Sequence, residues 1–187
     1  MKTITANQRQ RRADALRNES KVREAADTVF RRYGKDLSMD DVAREAGVSK
    51  GTVYNVFGSR DELIEGLTIA YLRAATLSYR KAMESEDLWQ GLADAVLTPT
   101  MGIAATADLM APGGSDCPAR TAFDECRRTL DELLDLLKQR GLVRPEITTT
   151  QLTNLFRGLY QVLPSYGERD TAQALEHGWI ILRGIRC

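Results

Sequence analysis

Residues 37–63, LSMDDVAREAGVSKGTVYNVFGSRDEL, contain two short helix patterns, each with its own cap, separated by a single glycine. Ser38 followed by Asp41 has capping-box spacing: the hydroxyl satisfies an orphan backbone N–H, and the carboxylate sits at the positive end of a helix starting at Met39. Met39, Val42, Ala43 and Ala46 fall at i, i+3, i+4 and i+7, one apolar face about two turns long, and Gly47 supplies a left-handed stop. Ser49 is a second N-cap. Val48 before it and Val53 at the fourth helical position form a hydrophobic staple that fixes how the next helix enters. Two capped helices locked at a set angle by a glycine turn read as a helix-turn-helix of the DNA-binding kind.

At about 100° per residue, Val53, Val56 and Phe57 share the inward arc of the second helix. Gly51, Tyr54 and Asn55 occupy the opposite arc, with Lys50 and Thr52 beside them. A glycine flanked by a phenol, an amide, a hydroxyl and an ammonium suits a surface pressed closely against a groove, where base edges require donors and acceptors without bulk. Asn55 is placed to pair with adenine and Thr52 to bond a base or touch a thymine methyl. Lys50, Ser49 and Tyr54 are placed to reach phosphates or guanine.

The flanks complete a head. Val22, Ala25, Ala26, Val29, Phe30 and Tyr33 give a helical stripe that ends at Gly34. After the two short helices, Ser59 caps a further helix with Glu62 three residues on, and Leu63, Leu67, Ala70, Tyr71, Ala74 and Leu77 carry its stripe to about Ser85. A helix of that length bridges two parts of a protein.

These landmarks together resemble the TetR/AcrR family of bacterial transcriptional regulators across roughly Arg11 to Leu67: RRADALRN, AADTVFRRYG, LSMDDVAREAGVSKGTVYNVF and GSRDELIEGL, in that order. The resemblance implies an all-α chain, in which an N-terminal three-helix helix-turn-helix head is joined by a long helix to a C-terminal helical ligand-binding and dimerisation domain. The boundaries expected here are a basic arm over 1–17, the DNA-binding domain over 18–60 and the effector and dimerisation domain over 61–187. The resemblance maps DNA contacts onto Lys50, Gly51, Thr52, Tyr54 and Asn55, with Ser38, Ser49 and Arg60 at helix starts as phosphate contacts. Val56 departs from the family, where Tyr or His often precedes the Phe of this helix, so contact rests more on Tyr54 and Asn55.

A chain of 187 residues buries on the order of 70% of its unfolded surface, enough for one large or two small domains. Its formal net charge is zero, yet residues 1–60 hold 13 Lys and Arg against 8 Asp and Glu, and residues 61–187 hold 13 against 18. A head at +5 on a body at −5 favours contact with DNA through one end only. Arg9, Arg11, Arg12 and Arg17 concentrate charge ahead of the first stripe, either along phosphates or in a minor groove, or as a solvated tail. Cys117, Cys126 and Cys187 have no CxxC spacing and there is one histidine, His177, so neither a metal site nor a cofactor is expected. The thiols read as reduced and cytosolic, with Cys117 or Cys126 the places where a redox role would sit. MKTITANQRQRR lacks the apolar core of a signal peptide and no apolar run approaches a membrane span, so a cytoplasmic location is expected.

In the body, a helical stretch from Asp87 towards Met110 meets Pro99, and the loop APGGSDC follows. Pro118 opens a helix whose stripe Phe123, Cys126, Leu130, Leu133, Leu134 and Leu137 stops at Gly141. Thr148 with Gln151 caps another, running through Leu152, Leu155, Phe156, Leu159, Tyr160 and Leu163 to Pro164. Asp170 caps a last helix bearing Leu175, Trp179, Leu182 and Ile185.

The family resemblance implies that the last two helices pair into a four-helix homodimer interface, here through Leu152, Phe156, Tyr160, Leu175, Trp179 and Leu182. The same stripes serve equally as an intramolecular core. It further implies a pocket lined by Tyr71, Trp89, Met101, Met110 and Phe123, apolar and adaptable, which are otherwise ordinary core. The function so implied is a homodimeric repressor of double-stranded DNA with a two-fold symmetric operator, released by a small, mostly apolar ligand. A ligand-independent or corepressor-dependent regulator, or a degenerate helix-turn-helix that binds protein, are the alternatives. Catalysis finds little support: there is no GxSxG, no phosphate-binding glycine loop and no ligand cluster.

Overall fold

The computed structural model describes residues 6–98, 118–162 and 171–187. The described residues form eight α-helices: α1 (Ala6–Tyr33), α2 (Met39–Ala46), α3 (Lys50–Phe57), α4 (Arg60–Met83), α5 (Leu88–Val96), α6 (Pro118–Gln139), α7 (Thr149–Val162) and α8 (Thr171–Ile185). A 3-10 turn, Gly34–Asp36, follows α1. The chain divides into two compact units, Met1–Ile64 and Glu65–Cys187, with α4 beginning in the first and continuing in the second.

In the first unit, Val22, Ala26, Val29 and Phe30 of α1 are buried with Leu37, Met39, Val42, Val53 and Leu63. The stretch Arg9–Arg17, expected ahead of the first helix, is part of it, since α1 runs unbroken from Ala6. Apolar periodicity begins only at Val22, but the preceding Ala, Gln, Arg and Leu residues are good helix formers without a Gly or Pro to stop them.

The second unit's core gathers Leu72, Ala75, Tyr79, Leu92, Val96, Leu130, Leu133, Leu134, Leu137, Leu152, Phe156 and Leu182. Asp87 caps α5 by accepting from the N–H groups of Trp89 and Gln90, both at 3.0 Å. The helix ends at Val96, short of Pro99, whose ring disfavours helical backbone in the residue before it. Pro99, Met101, Met110, the APGGSDC loop with Cys117, Pro164 and Asp170 lie outside the described residues, as does the Tyr160 side chain.

α6 begins at Pro118, and its end at Gly141 closes with Gly141 N–H on the Lys138 carbonyl (2.9 Å) and Leu142 N–H on that of Leu137 (2.9 Å). α7 opens on a reciprocal capping box: Gln151 N–H donates to Thr148 Oγ1 (3.2 Å), and Thr148 N–H to Gln151 Oε1 (2.8 Å). The last residues pair with the α6–α7 connection, through an isolated antiparallel bridge between Val143 and Arg186 and an Arg144 N–H to Ile185 carbonyl bond of 3.0 Å.

Cys126 is 6% exposed on the inner face of α6. Burial pushes its thiol from 9.0 up to about 11, against a hydrogen bond with Thr76 that pulls down and the nearby Glu125 charge that pushes up. A buried, protonated thiol is a poor nucleophile, so Cys126 is unsuited to redox signalling. Stability depends on pH through the same shift: the unfolded chain ionises this thiol first, so the contribution is intact below pH 9 and is lost as pH rises towards 11. Urea melts of the native protein and Cys126→Ala are therefore expected to converge by about 2–3 kcal/mol between these limits. Because other titrating groups cancel in the difference, a constant gap across that range would show that the thiol ionises as freely folded as unfolded.

Candidate nucleic-acid interface

The capping arithmetic of residues 37–63 is realised bond by bond. Ser38 Oγ accepts from Asp41 N–H at 3.1 Å and donates to Asp41 Oδ2 at 2.6 Å. That hydroxyl, followed by the Arg44 guanidinium 2.9 Å from Asp41 Oδ1, holds the Asp41 carboxyl below the usual carboxylate range. Gly47 closes α2 at φ 66°, with its N–H on the Arg44 carbonyl (3.3 Å) and the Val48 N–H on that of Ala43 (3.0 Å). Only a residue without a side-chain penalty in the left-handed region turns the chain so sharply. Ser49 then caps α3 by accepting from Thr52 N–H at 3.3 Å, and its hydroxyl lies 2.9 Å from Thr52 Oγ1.

α3 is fixed by its buried Val53, with Val56 and Phe57 half-buried beside it and Arg23 of α1 stacked on the Phe57 ring, 5.5 Å from its centroid. The opposite face is open: Ser49, Lys50, Gly51, Tyr54 and Asn55 are exposed and Thr52 is half-buried. Tyr54 keeps 42% of its surface, with its ring on the outer face. A Cβ added at Gly51 would meet nothing nearer than Ser49 Oγ at 3.9 Å, so the glycine is not demanded by packing within the protein. Val56 is half-buried, whereas Tyr54 and Asn55 carry polar groups on the exposed outer face.

Two features depend on how the helices cross and carry no local signal in the sequence. Lys50 Nζ lies 2.8 Å from Asp40 Oδ2, linking the first turn of α3 to that of α2 and raising the lysine pKa through this hydrogen bond. Arg60, expected on a phosphate, directs its donors into the head: Nε donates to the Leu37 carbonyl at 2.8 Å and a terminal nitrogen donates to the carbonyl of Lys35. The guanidinium thereby fastens the start of α4 to the turn before α2. Arg60→Ala removes two hydrogen bonds from a charged donor, one of them part-buried at Leu37, and a loss of about 1–3 kcal/mol in the stability of the head is expected from urea melts. Unchanged stability with weakened DNA binding would return Arg60 to the phosphate role.

The sequence pattern described as bacterial regulatory proteins, tetR family, matches residues 22–67, from the buried part of α1 to the opening of α4. The chain's head, residues 22–67, is a TetR-family helix-turn-helix. The chain is 31% identical over 127 residues, 66% of its length, to the uncharacterized HTH-type transcriptional regulator YfiR of Bacillus subtilis (strain 168). That match spans 62% of YfiR, less than two thirds of the relative's length. Over 55 residues, 29% of this chain and 26% of the relative, it is 38% identical to the HTH-type transcriptional regulator AlkX of Mycobacterium tuberculosis. In structure it is similar to the TetR transcriptional regulator SCO0520 of Streptomyces coelicolor, with a TM-score of 0.61, 25% identity, and 90% of this chain and 98% of that one covered.

The family match covers the caps of the head, and the remaining assignments concern the second unit. Tyr71 and Trp89 are buried at 7% and 8% exposure, and Phe123 is half-buried against the same core. Arg186 stacks on the Trp89 ring at 4.9 Å, which ties that tryptophan to the chain's end. Leu152, Phe156 and Leu182, expected at a dimer interface, are fully buried within the subunit and so are unavailable to a second copy. Trp179 is half-buried against the same core, whereas Leu155, Leu175 and Ile180 keep 48%, 41% and 64% of their surface. The periodic stripe finds the apolar face of a helix but cannot say which chain covers it. No described helix is long and apolar enough to cross a membrane.

Proposed function

We propose that this protein is a cytoplasmic, sequence-specific DNA-binding regulator of transcription of the TetR family rather than an enzyme, and that it acts as a homodimeric repressor released from its operator by a small, mostly apolar ligand. The observation that carries the reading is the outer face of α3: Gly51, Tyr54 and Asn55 stand exposed in a row while Val53 anchors the helix from behind. The names of YfiR, AlkX and SCO0520 as transcriptional regulators support it. Asn55 and Thr52 read base edges, and Lys50, Ser49, Ser38 and Tyr54 hold the backbone.

One α3 covers only a few base pairs, so a two-fold dimer reading two half-sites multiplies specificity. The exposed Leu155, Leu175 and Ile180 on the last two helices supply apolar surface for that contact. Tyr71, Trp89 and Phe123, apolar residues of the second unit, are the ones we assign to the ligand. α4 is one continuous helix from the Ser59 cap into the second unit, and a coupling of about 1–3 kcal/mol along it changes operator affinity five- to 150-fold.

Selection of bound sites from a random duplex library at about physiological salt tests the reading. Enrichment of a two-fold symmetric site, and its release by a panel of small apolar compounds, is the expected result. Binding that stays weak and sequence-independent would remove the operator, and a symmetric site indifferent to every compound would remove the ligand.

A further inference from the structure

We infer that Asp40 gates Lys50, holding its ammonium away from DNA phosphate so that arbitrary duplex is bound less tightly than the head's charge alone would allow. The inference rests on the DNA-binding reading and adds a specificity device to it.

Lys50 and Asp40 face each other at 2.8 Å across the helix-turn-helix, both side chains more than half exposed at 51% and 59%. Lys50 sits in the first turn of α3 beside the open face formed by Gly51, Tyr54 and Asn55, where its charge is most useful to a polyanion. Asp40 occupies the first turn of α2, where a carboxylate is favoured by the unsatisfied N–H groups of the helix end. Asp41, next to it, is already engaged by Ser38 and Arg44, so the Asp40 carboxylate is the acidic group in that turn directed at Lys50.

Electrostatic binding to duplex DNA grows with the number of phosphates neutralised, because each releases condensed counterions. A lysine taken from a carboxylate does not add a full contact: the freed Asp40 either remains as a negative charge near the backbone or binds a cation itself. The ion pair thus cancels about one phosphate contact wherever the fit is poor. At a site where Asn55, Thr52 and Tyr54 all engage bases or backbone, those contacts outweigh the exchange. The cost therefore falls most heavily, as a fraction of total binding, on arbitrary sequence.

The test is a cycle of four full-length proteins, the native chain, Asp40→Asn, Lys50→Gln and the double variant, titrated against an arbitrary duplex and the selected operator over a range of salt. Asp40→Asn is expected to tighten arbitrary-duplex binding about three- to tenfold near 0.1 M salt and to steepen the log affinity against log salt slope by about one. It should reduce the operator-to-arbitrary affinity ratio. With Lys50→Gln present, less than half of that gain should remain, since removing a mere bystander charge would act equally in both backgrounds. Exposed pairs contribute little to folding and the helix-end charge of Asp40 only slightly more, so thermal melts of all four proteins should agree within about 4 °C, separating the gate from a structural role. Native protein that binds duplex while Asp40→Asn gives no gain, or the same gain with Lys50→Gln, overturns the gate alone. Absence of salt-sensitive binding by both the native protein and Asp40→Asn overturns the DNA reading with it.

Discussion

Gly51→Glu is expected to fold at least as stably as the native chain and to lose DNA affinity by about 100-fold or more. The two halves of this outcome have separate causes. Within the protein, position 51 is open, with only Ser49 Oγ at 3.9 Å from a new Cβ, and the residue lies in the first turn of α3. Replacing glycine in a helix removes an entropic cost of about 0.5–1 kcal/mol, and an acidic side chain near a helix N-terminus adds a few tenths more. Against DNA the same carboxylate enters the surface between Lys50 and Asn55, where it meets phosphate charge and the acceptor-rich edges of the groove. Like charges forced together at an interface cost several kcal/mol, and each 1.4 kcal/mol is tenfold in affinity. Thermal melts and anisotropy titrations on the selected operator check both halves, and Gly51→Ala should weaken binding far less. A Gly51→Glu protein that still bound its operator within about threefold would place the interface elsewhere on the head.

Gly51 also shows why much of the candidate site is legible in the sequence. Caps and turns are decided by residues three to five positions apart, so the bonds of Ser38 with Asp41, the turn at Gly47, the Ser49 cap and the pairing of Thr148 with Gln151 follow from spacing alone. The outward arc of α3 follows from the same local period. The partners of Lys50 and Arg60 are not legible in this way, because they lie 10 and 23–25 residues away and meet only once the interhelical angles are fixed. α1 begins earlier than its stripe because a polar helix face has no periodic signal to mark its start.

The neighbours Leu155 and Phe156 on α7 put the other limit in measurable form, because burial of an apolar residue within a chain and its burial between chains have opposite consequences on truncation. Phe156 is fully buried, and its Cε1 lies 3.6 Å from where a Cβ would stand on Gly178 of α8. Gly178 has no side chain to move into space vacated by the ring, and Leu97 already presses against the same spot. Phe156→Ala should therefore leave a cavity that relaxes poorly and cost about 3–5 kcal/mol, a large share of a typical 5–15 kcal/mol stability. In a chain of this size that corresponds to roughly 2–4 °C in Tm per kcal/mol. Leu155 is 48% exposed, and Leu155→Glu should leave the helical signal of the subunit unchanged while lowering the mass seen by light scattering at micromolar concentration. If Phe156→Ala instead dissociated a well-folded dimer and Leu155→Glu did nothing, the inward and outward sides of α7 would have to be exchanged.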